Sequence, residues 1–234
     1  MSALPDAQSL HAEAVPGWYG KLPALGDFAQ RRMPAHWVRH CDAWLSGVMQ
    51  ELPAVLGPRW LDAYLTAPVL RFAWAPGVVD MKWWFGVLMP SCDNVGRYFP
   101  LVIAQARAQP PIDRAGLDHL DRWYTVLANA AMRTLEDAAT VEALEHTLAS
   151  APHWPASHAG TLPAPDGGPW ERYTAPAGLL TAAMPMLAAG ELMERMAGCT
   201  VWSPNPEPGA QVHLRWGPGL PPIQGFAEML ARKD

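Results

Sequence analysis

Three groups of side chains in this sequence have the types and spacing that chemistry requires. Ser91, Cys92 and Asp93 follow the apolar run Trp83 to Met89, so they fall at a strand end, where α/β folds often carry active residues. Cys92 as a nucleophile requires a base in reach, and His36, His40 and His119 are the candidates; nothing in the spacing selects one. The competing reading is a tight turn, in which Asp93 or Asn94 caps backbone N–H groups and Gly96 takes a left-handed conformation. The second group is Lys21, set between Gly20 and Gly26-Asp27-Phe28 in the stretch GWYGKLPALGDFAQRRMP. A phosphate-binding loop needs its glycines ahead of a Lys-Ser/Thr pair, and here no Ser or Thr follows the lysine. GxGxxG, GxSxG and HExxH are all absent. The third group is His36, His40 and Cys41. The histidines share a helix face, but no third ligand stands at a supporting distance, so no metal and no cofactor are expected. His153 and His158 read as solvated loop residues for the same reason. Arg97 is expected to pair with Asp27 or Asp93 across the loops as an architectural salt bridge.

These groups need elements to hold them. Gly17 to Gly20 reads as a strand feeding the Gly- and Pro-rich loop, with Trp18 and Phe28 as its apolar anchors. Pro34 fits the first helical position of the next element. Trp37, Cys41, Trp44, Leu45, Val48 and Leu52 lie on one face of a helix that Pro53 is expected to stop. Pro58 to Thr66 reads as a short second helix, and Val69 to Ala75 as a strand ending at the Pro76-Gly77 turn. Trp83 to Met89 is apolar throughout, the mark of a strand buried on both faces. With Tyr98 to Ala106 it predicts an antiparallel hairpin at the sheet centre, Pro100 marking a bulge or an edge. A long helix spans about Ala115 to Ala138, with Leu117, Leu120, Tyr124, Leu127, Ala131 and Leu135 on one face. A further helix covers Val141 to Leu148.

The C-terminal part is less regular. Residues 151–176 are Pro-, Gly- and His-rich and read as an exposed loop within one domain spanning 16–234. Leu179 to Leu187 is ambiguous between strand and helix. Glu191 to Met196 reads as helix, Cys199 to Trp202 and Val212 to Trp216 as strands, and Ile223 to Arg232 as a closing helix. Residues 1–15 read as a flexible tail. The order predicts an α/β fold with a mixed, largely antiparallel central sheet and helices on both faces, a three-layer sandwich.

Bulk composition narrows the function. The chain of 234 residues is 50% hydrophobic and 17% charged, so it can bury a core. Its net charge of -5 lacks the basic footprint of a nucleic-acid binder. No run is long and apolar enough for direct membrane insertion. The three cysteines, far apart and odd in number, read as free thiols of a reducing compartment, and a cytoplasmic location is expected. The Trp-rich stretch Arg59 to Trp74 reads as core, and some of the 12 tryptophans are candidates for anchoring a protein partner.

Three stretches taken in order, GWYGKLPALGDF, RWLDAYLTAPVLRFAW and GVLMPSCDNVGRYFPL, resemble the TagF (ImpM) family of type VI secretion system accessory proteins. The likeness extends through LDRWYTVLANAAMRTLEDA and, more loosely, CTVWSP and GLPPIQGFAEML. The motif positions are Gly20, Lys21, Gly26, Asp27, Phe28, Pro90, Ser91, Asp93, Gly96, Arg97 and Pro100; Cys92 stands between them without an inherited role. The resemblance implies a three-layer fold, a cytoplasmic protein and a non-enzymatic, post-translational repressor linked to a forkhead-associated scaffold protein. Some relatives are fused to a PP2C-type phosphatase; the length here implies the stand-alone form. Two readings follow. In one, Gly20, Lys21, Gly26, Asp27, Phe28, Ser91, Asp93 and Arg97 build converging loops that bind the scaffold. In the other, Ser91, Cys92 or Asp93 serves a small hydrolase or transferase.

Overall fold

The computed structural model describes residues 15–152, 188, 190–207, 209, 211 and 213–231. His153, His158, the apolar run Leu179 to Leu187, residues 1–14 and the Pro-rich stretch beyond Pro152 lie outside the described residues. Seven strands form one sheet: β1 (Gly17–Gly20), β2 (Ala29–Arg31), β3 (Leu70–Trp74), β4 (Trp83–Met89), β5 (Leu101–Arg107), β6 (Cys199–Pro204) and β7 (Arg215–Pro218). They lie in the order β2-β1-β5-β4-β3-β6-β7. The largely antiparallel sheet is antiparallel at every one of these pairings.

The central hairpin β4–β5 runs from Trp83 opposite Arg107 to Met89 opposite Leu101. Alternate β4 side chains serve opposite faces, which is why the whole strand is apolar. Trp83, Phe85, Val87 and Met89 join one core with Trp18, Leu101, Ile103 and the helix α3 (Arg114–Arg133). Trp84 and Leu88 join the other, with Trp37, Phe72, Trp74, Trp202 and Phe226. Helices α1 (Ala35–Leu56), α2 (Trp60–Leu65) and α5 (Ile223–Leu230) cover that second face, and α4 (Val141–Ala149) packs beside α3 on the first. The result is three layers. Trp37 stacks on Trp74 at 5.4 Å and Phe72 on Trp74 at 4.5 Å, so the aromatic surplus in this part of the chain is mostly core.

Several boundaries differ from the sequence pattern, each for a physical reason. α1 passes through Pro53 to Leu56: the lost N–H costs one bond, the Pro53 ring is exposed, and Gly57 at φ 61 closes the helix by donating to Pro53 O. Pro34 is the cap, and the helix begins at Ala35. β5 starts after Pro100, and Tyr98 makes only an isolated bridge to Cys92. α3 ends at Arg133; Leu120, Tyr124, Leu127 and Ala131 face the core, whereas Leu117 and Leu135 are exposed. β7 begins at Arg215, later than the apolar pattern suggests. β2 had no apolar signature and was legible only as loop. No described helix is long and apolar enough to cross a membrane.

Candidate functional site

The loops that leave β1 and β4 meet at one end of the sheet. β1 terminates at Gly20, whose φ is 132 and whose added Cβ would lie 2.1 Å from Pro100 O. Only glycine permits that approach to the start of β5. The next residue, Lys21, is thereby turned inward: its side chain is 6% exposed and its Nζ donates to Asp93 Oδ2 at 2.8 Å. Asp93 is 0% exposed at its side chain. Oδ2 also accepts from Arg97 Nε at 2.7 Å, while Oδ1 accepts from the backbone N–H groups of Arg97 (2.8 Å) and Val95 (3.2 Å). Burial by itself would raise the Asp93 carboxyl; the Lys21 ammonium and the Arg97 donors outweigh it and hold the group well below the usual carboxylate range. Gly96 at φ 80 lets its N–H reach Asp93 O at 3.0 Å, which closes the turn.

The same groups tie the two loops together. Arg97 Nη2 donates to Gly26 O at 2.7 Å, and Asn94 N donates to Leu25 O at 3.0 Å. Ser91 Oγ donates to Lys21 O at 2.8 Å. Ser91 is in turn held from below by Tyr64 of α2. The Tyr64 hydroxyl donates to Ser91 O at 2.9 Å, beside the Phe99 N–H at 3.0 Å, and accepts from Ser91 N at 3.0 Å. Burial pushes the Tyr64 phenol well above its ordinary value, so it stays a protonated donor.

Of the two partners expected for Arg97, the structure selects Asp93. Asp27 is exposed and its carboxylate accepts from the N–H of the next residue, Phe28, at 2.8 Å. Phe28 is not a buried anchor either; it is 46% exposed. Its ring stacks on Tyr19 (6.2 Å), meets Phe99 edge-on (4.7 Å) and lies 4.9 Å from Lys21 Nζ. Cation and aromatic neighbours therefore fix a ring that solvent can still reach. Val95, 69% exposed, and the Arg97 side chain, 57% exposed, complete the outer surface.

The other clusters separate. Cys41 is fully buried in the core while His36 and His40 are exposed, and His36 Nε2 lies 2.9 Å from Asp80 Oδ2. No group of three or more metal-ligating side chains occurs among the described residues. Burial raises the Cys92 thiol, with the Asp93 charge adding to it. Ser91 Oγ bonds a backbone carbonyl rather than a histidine or carboxylate.

Residues 17–151 match the family described as TagF N-terminal domain, type VI secretion system-associated. This chain belongs to the TagF family. It is also similar to the crystal structure of PA0076 from Pseudomonas aeruginosa PAO1, at 35% identity and a TM-score of 0.72, over 92% of this chain and 93% of that one. No curated protein matches. The TagF match spans both site loops and the strands between them, so the chain is a type VI secretion system-associated protein.

Sequence reasoning missed some supports of this TagF site. Tyr64 was legible as core, not as the backbone partner of Ser91. The Tyr19 hydroxyl bonds the Asp42 carboxylate of α1, which sets the ring under Phe28. Glu145 of α4 accepts from Trp18 Nε1 (2.5 Å) and from Arg32 Nη1 (2.6 Å) and Nη2 (3.0 Å), locking β1 and β2 to the opposite layer. A lone Glu on an amphipathic helix gives no signal of such a role.

Proposed function

We propose that this protein is a cytoplasmic, non-enzymatic repressor of the type VI secretion system, acting after translation by binding a forkhead-associated scaffold protein. The observation that carries the reading is how the site divides its residues. Lys21, Ser91 and Asp93 are buried and bonded to one another's loops, so they shape the surface. Phe28, Val95 and Arg97 remain exposed on that rigid base. An aromatic ring and a guanidinium over a preformed backbone are the groups that dominate protein–protein contacts.

The hydrolase alternative draws less support. Its serine proton is directed at the Lys21 carbonyl, its thiol is raised rather than lowered, and its aspartate is engaged by Lys21 and Arg97. A general base needs a free acceptor within hydrogen-bond reach of the nucleophile.

Titration calorimetry against the purified forkhead-associated scaffold of the same secretion system tests the reading. Saturable binding is expected, weakened roughly thirtyfold by Phe28→Ala, the scale of an interface hot spot worth about 2 kcal/mol, and also by Arg97→Ala. Normal binding by both folded variants would remove the site assignment. No binding by the wild-type protein would remove the scaffold as partner.

A further inference from the structure

The sheet ends on one side at β2, and no described residue pairs with its outer edge. We infer that this edge receives an extended acidic segment of the protein partner as an eighth strand, a reading that rests on the partner-binding function proposed above. Four observations carry it. First, β2 begins directly after Phe28, so the open edge continues the surface formed by Phe28 and Arg97. Second, the edge is held ready. Arg32, the residue after β2, sits at φ 57, which is rare without glycine. Its guanidinium donates to Pro16 O through Nε (3.1 Å) and Nη2 (3.0 Å) and to Glu145 as described, so the three β2 residues cannot move apart from β1. A preorganised edge loses less freedom on binding. Third, the edge strand offers an exposed cation. Arg31 and Arg32 share the single carboxylate of Glu145, and the Arg31 side chain is still 51% exposed. This leaves Arg31 as an exposed cation at the end of the edge strand, four residues from the exposed carboxylate of Asp27. Fourth, the opposite edge strand, β7, contains Gly217 and ends in Pro218, which has no N–H to offer.

The register sets the partner's pattern. Gln30 pairs with Tyr19, on which Phe28 stacks, and Arg31 pairs with Trp18 on the other face. An added strand therefore places apolar side chains on the Phe28 face and acidic ones on the Arg31 face, in alternation.

Hydrogen exchange of this protein, alone and with the scaffold, tests the inference together with the affinity of Arg31→Glu. The Ala29–Arg31 amides are expected to slow in the complex. Arg31→Glu is expected to bind about tenfold more weakly, the scale of one charge-assisted contact. Arg114→Glu, an exposed cation on α3, is expected to bind as the wild type does. Wild-type binding with unchanged exchange at β2, or undiminished affinity in folded Arg31→Glu, overturns strand addition and leaves the partner reading standing. Absence of wild-type binding overturns both.

Discussion

Lys21 and Asp93 lie 72 residues apart in sequence and 2.8 Å apart in space, with both side chains withdrawn from solvent. One follows the strand next to the sheet edge; the other follows the central strand. Their contact joins the two family loops. The strength of such a pair lies in its completeness, since a buried charge left alone is far costlier than a buried pair. Lys21→Met and Asp93→Asn are each expected to unfold at lower urea than the wild type, and the double variant Lys21→Met/Asp93→Asn to lose less than the two losses summed. Denaturant melts of the four proteins measure it. Strictly additive losses would contradict the pairing argument.

Tyr64→Phe removes one oxygen and strands the buried Ser91 N–H, because the hydroxyl is that group's acceptor. A cost of about 1–3 kcal/mol is expected, the penalty for an orphaned buried donor. Ser91→Ala removes a hydroxyl that donates to Lys21 O and is expected to cost about 1 kcal/mol. Urea unfolding midpoints at constant m-value separate the two. No loss in Tyr64→Phe, which keeps the ring, would mean that the tyrosine does no more than fill space.

Gly20→Ala meets two obstacles: the added Cβ would lie 2.1 Å from Pro100 O, and φ is 132. Overpacking against backbone costs about 1–3 kcal/mol before the conformational strain is added. The change also moves Lys21, so partner affinity is expected to fall together with stability. Gly47→Ala, at a helical glycine with nothing within 4 Å, provides the control and is expected to be neutral or mildly stabilising.

Acid weakens this fold through identifiable carboxylates. Burial raises Asp93, Glu145 and Asp80, but bonded partners lower all three overall: Lys21 and Arg97 for Asp93, Arg32 and Trp18 for Glu145, and His36, Lys82 N and Trp84 for Asp80. A depressed native value means that the unfolded chain binds protons more readily. Their stabilising contribution is complete above the unfolded values, near pH 4, and is lost as pH falls from there toward the native ones. These groups predict a urea midpoint that drops below about pH 4. The gap between wild type and Glu145→Gln is expected to narrow between pH 7 and pH 3.5. A gap that widens in acid would mean that Glu145 does not carry the charge assigned to it.

Cys92 offers a test of the chemistry itself. Its raised thiol predicts slow alkylation by iodoacetamide at pH 7, and Cys92→Ser is expected to bind the scaffold with unchanged affinity. Rapid modification together with lost function would revive the nucleophile reading.

Much of the architecture was legible because it rests on local pattern. The run Trp83 to Met89 is apolar at every position, and the structure buries it on both faces over those same residues. Trp37, Cys41, Leu45, Val48 and Leu52 recur at helical spacing and all reach the core. β2 was not legible: Ala29, Gln30 and Arg31 carry no alternation, and their strand exists because β1 offers them an edge. Leu117 and Leu135 misled for the opposite reason, since apolar periodicity states which face a residue shares and not how far the sheet extends beneath it.

The amino-acid sequence alone determined most of the strand and helix order, β2 excepted, the three-layer class and the TagF motifs, because periodicity, glycine, proline and motif spacing act within a few residues. Only the tertiary structure decided that Arg97 pairs with Asp93 rather than Asp27, that Phe28 faces solvent, and that Tyr64 and Glu145 support the site. Those outcomes depend on distances between segments tens of residues apart. They are settled when the sheet brings β1, β4 and β5 together and each buried charge takes the partner that lies within reach.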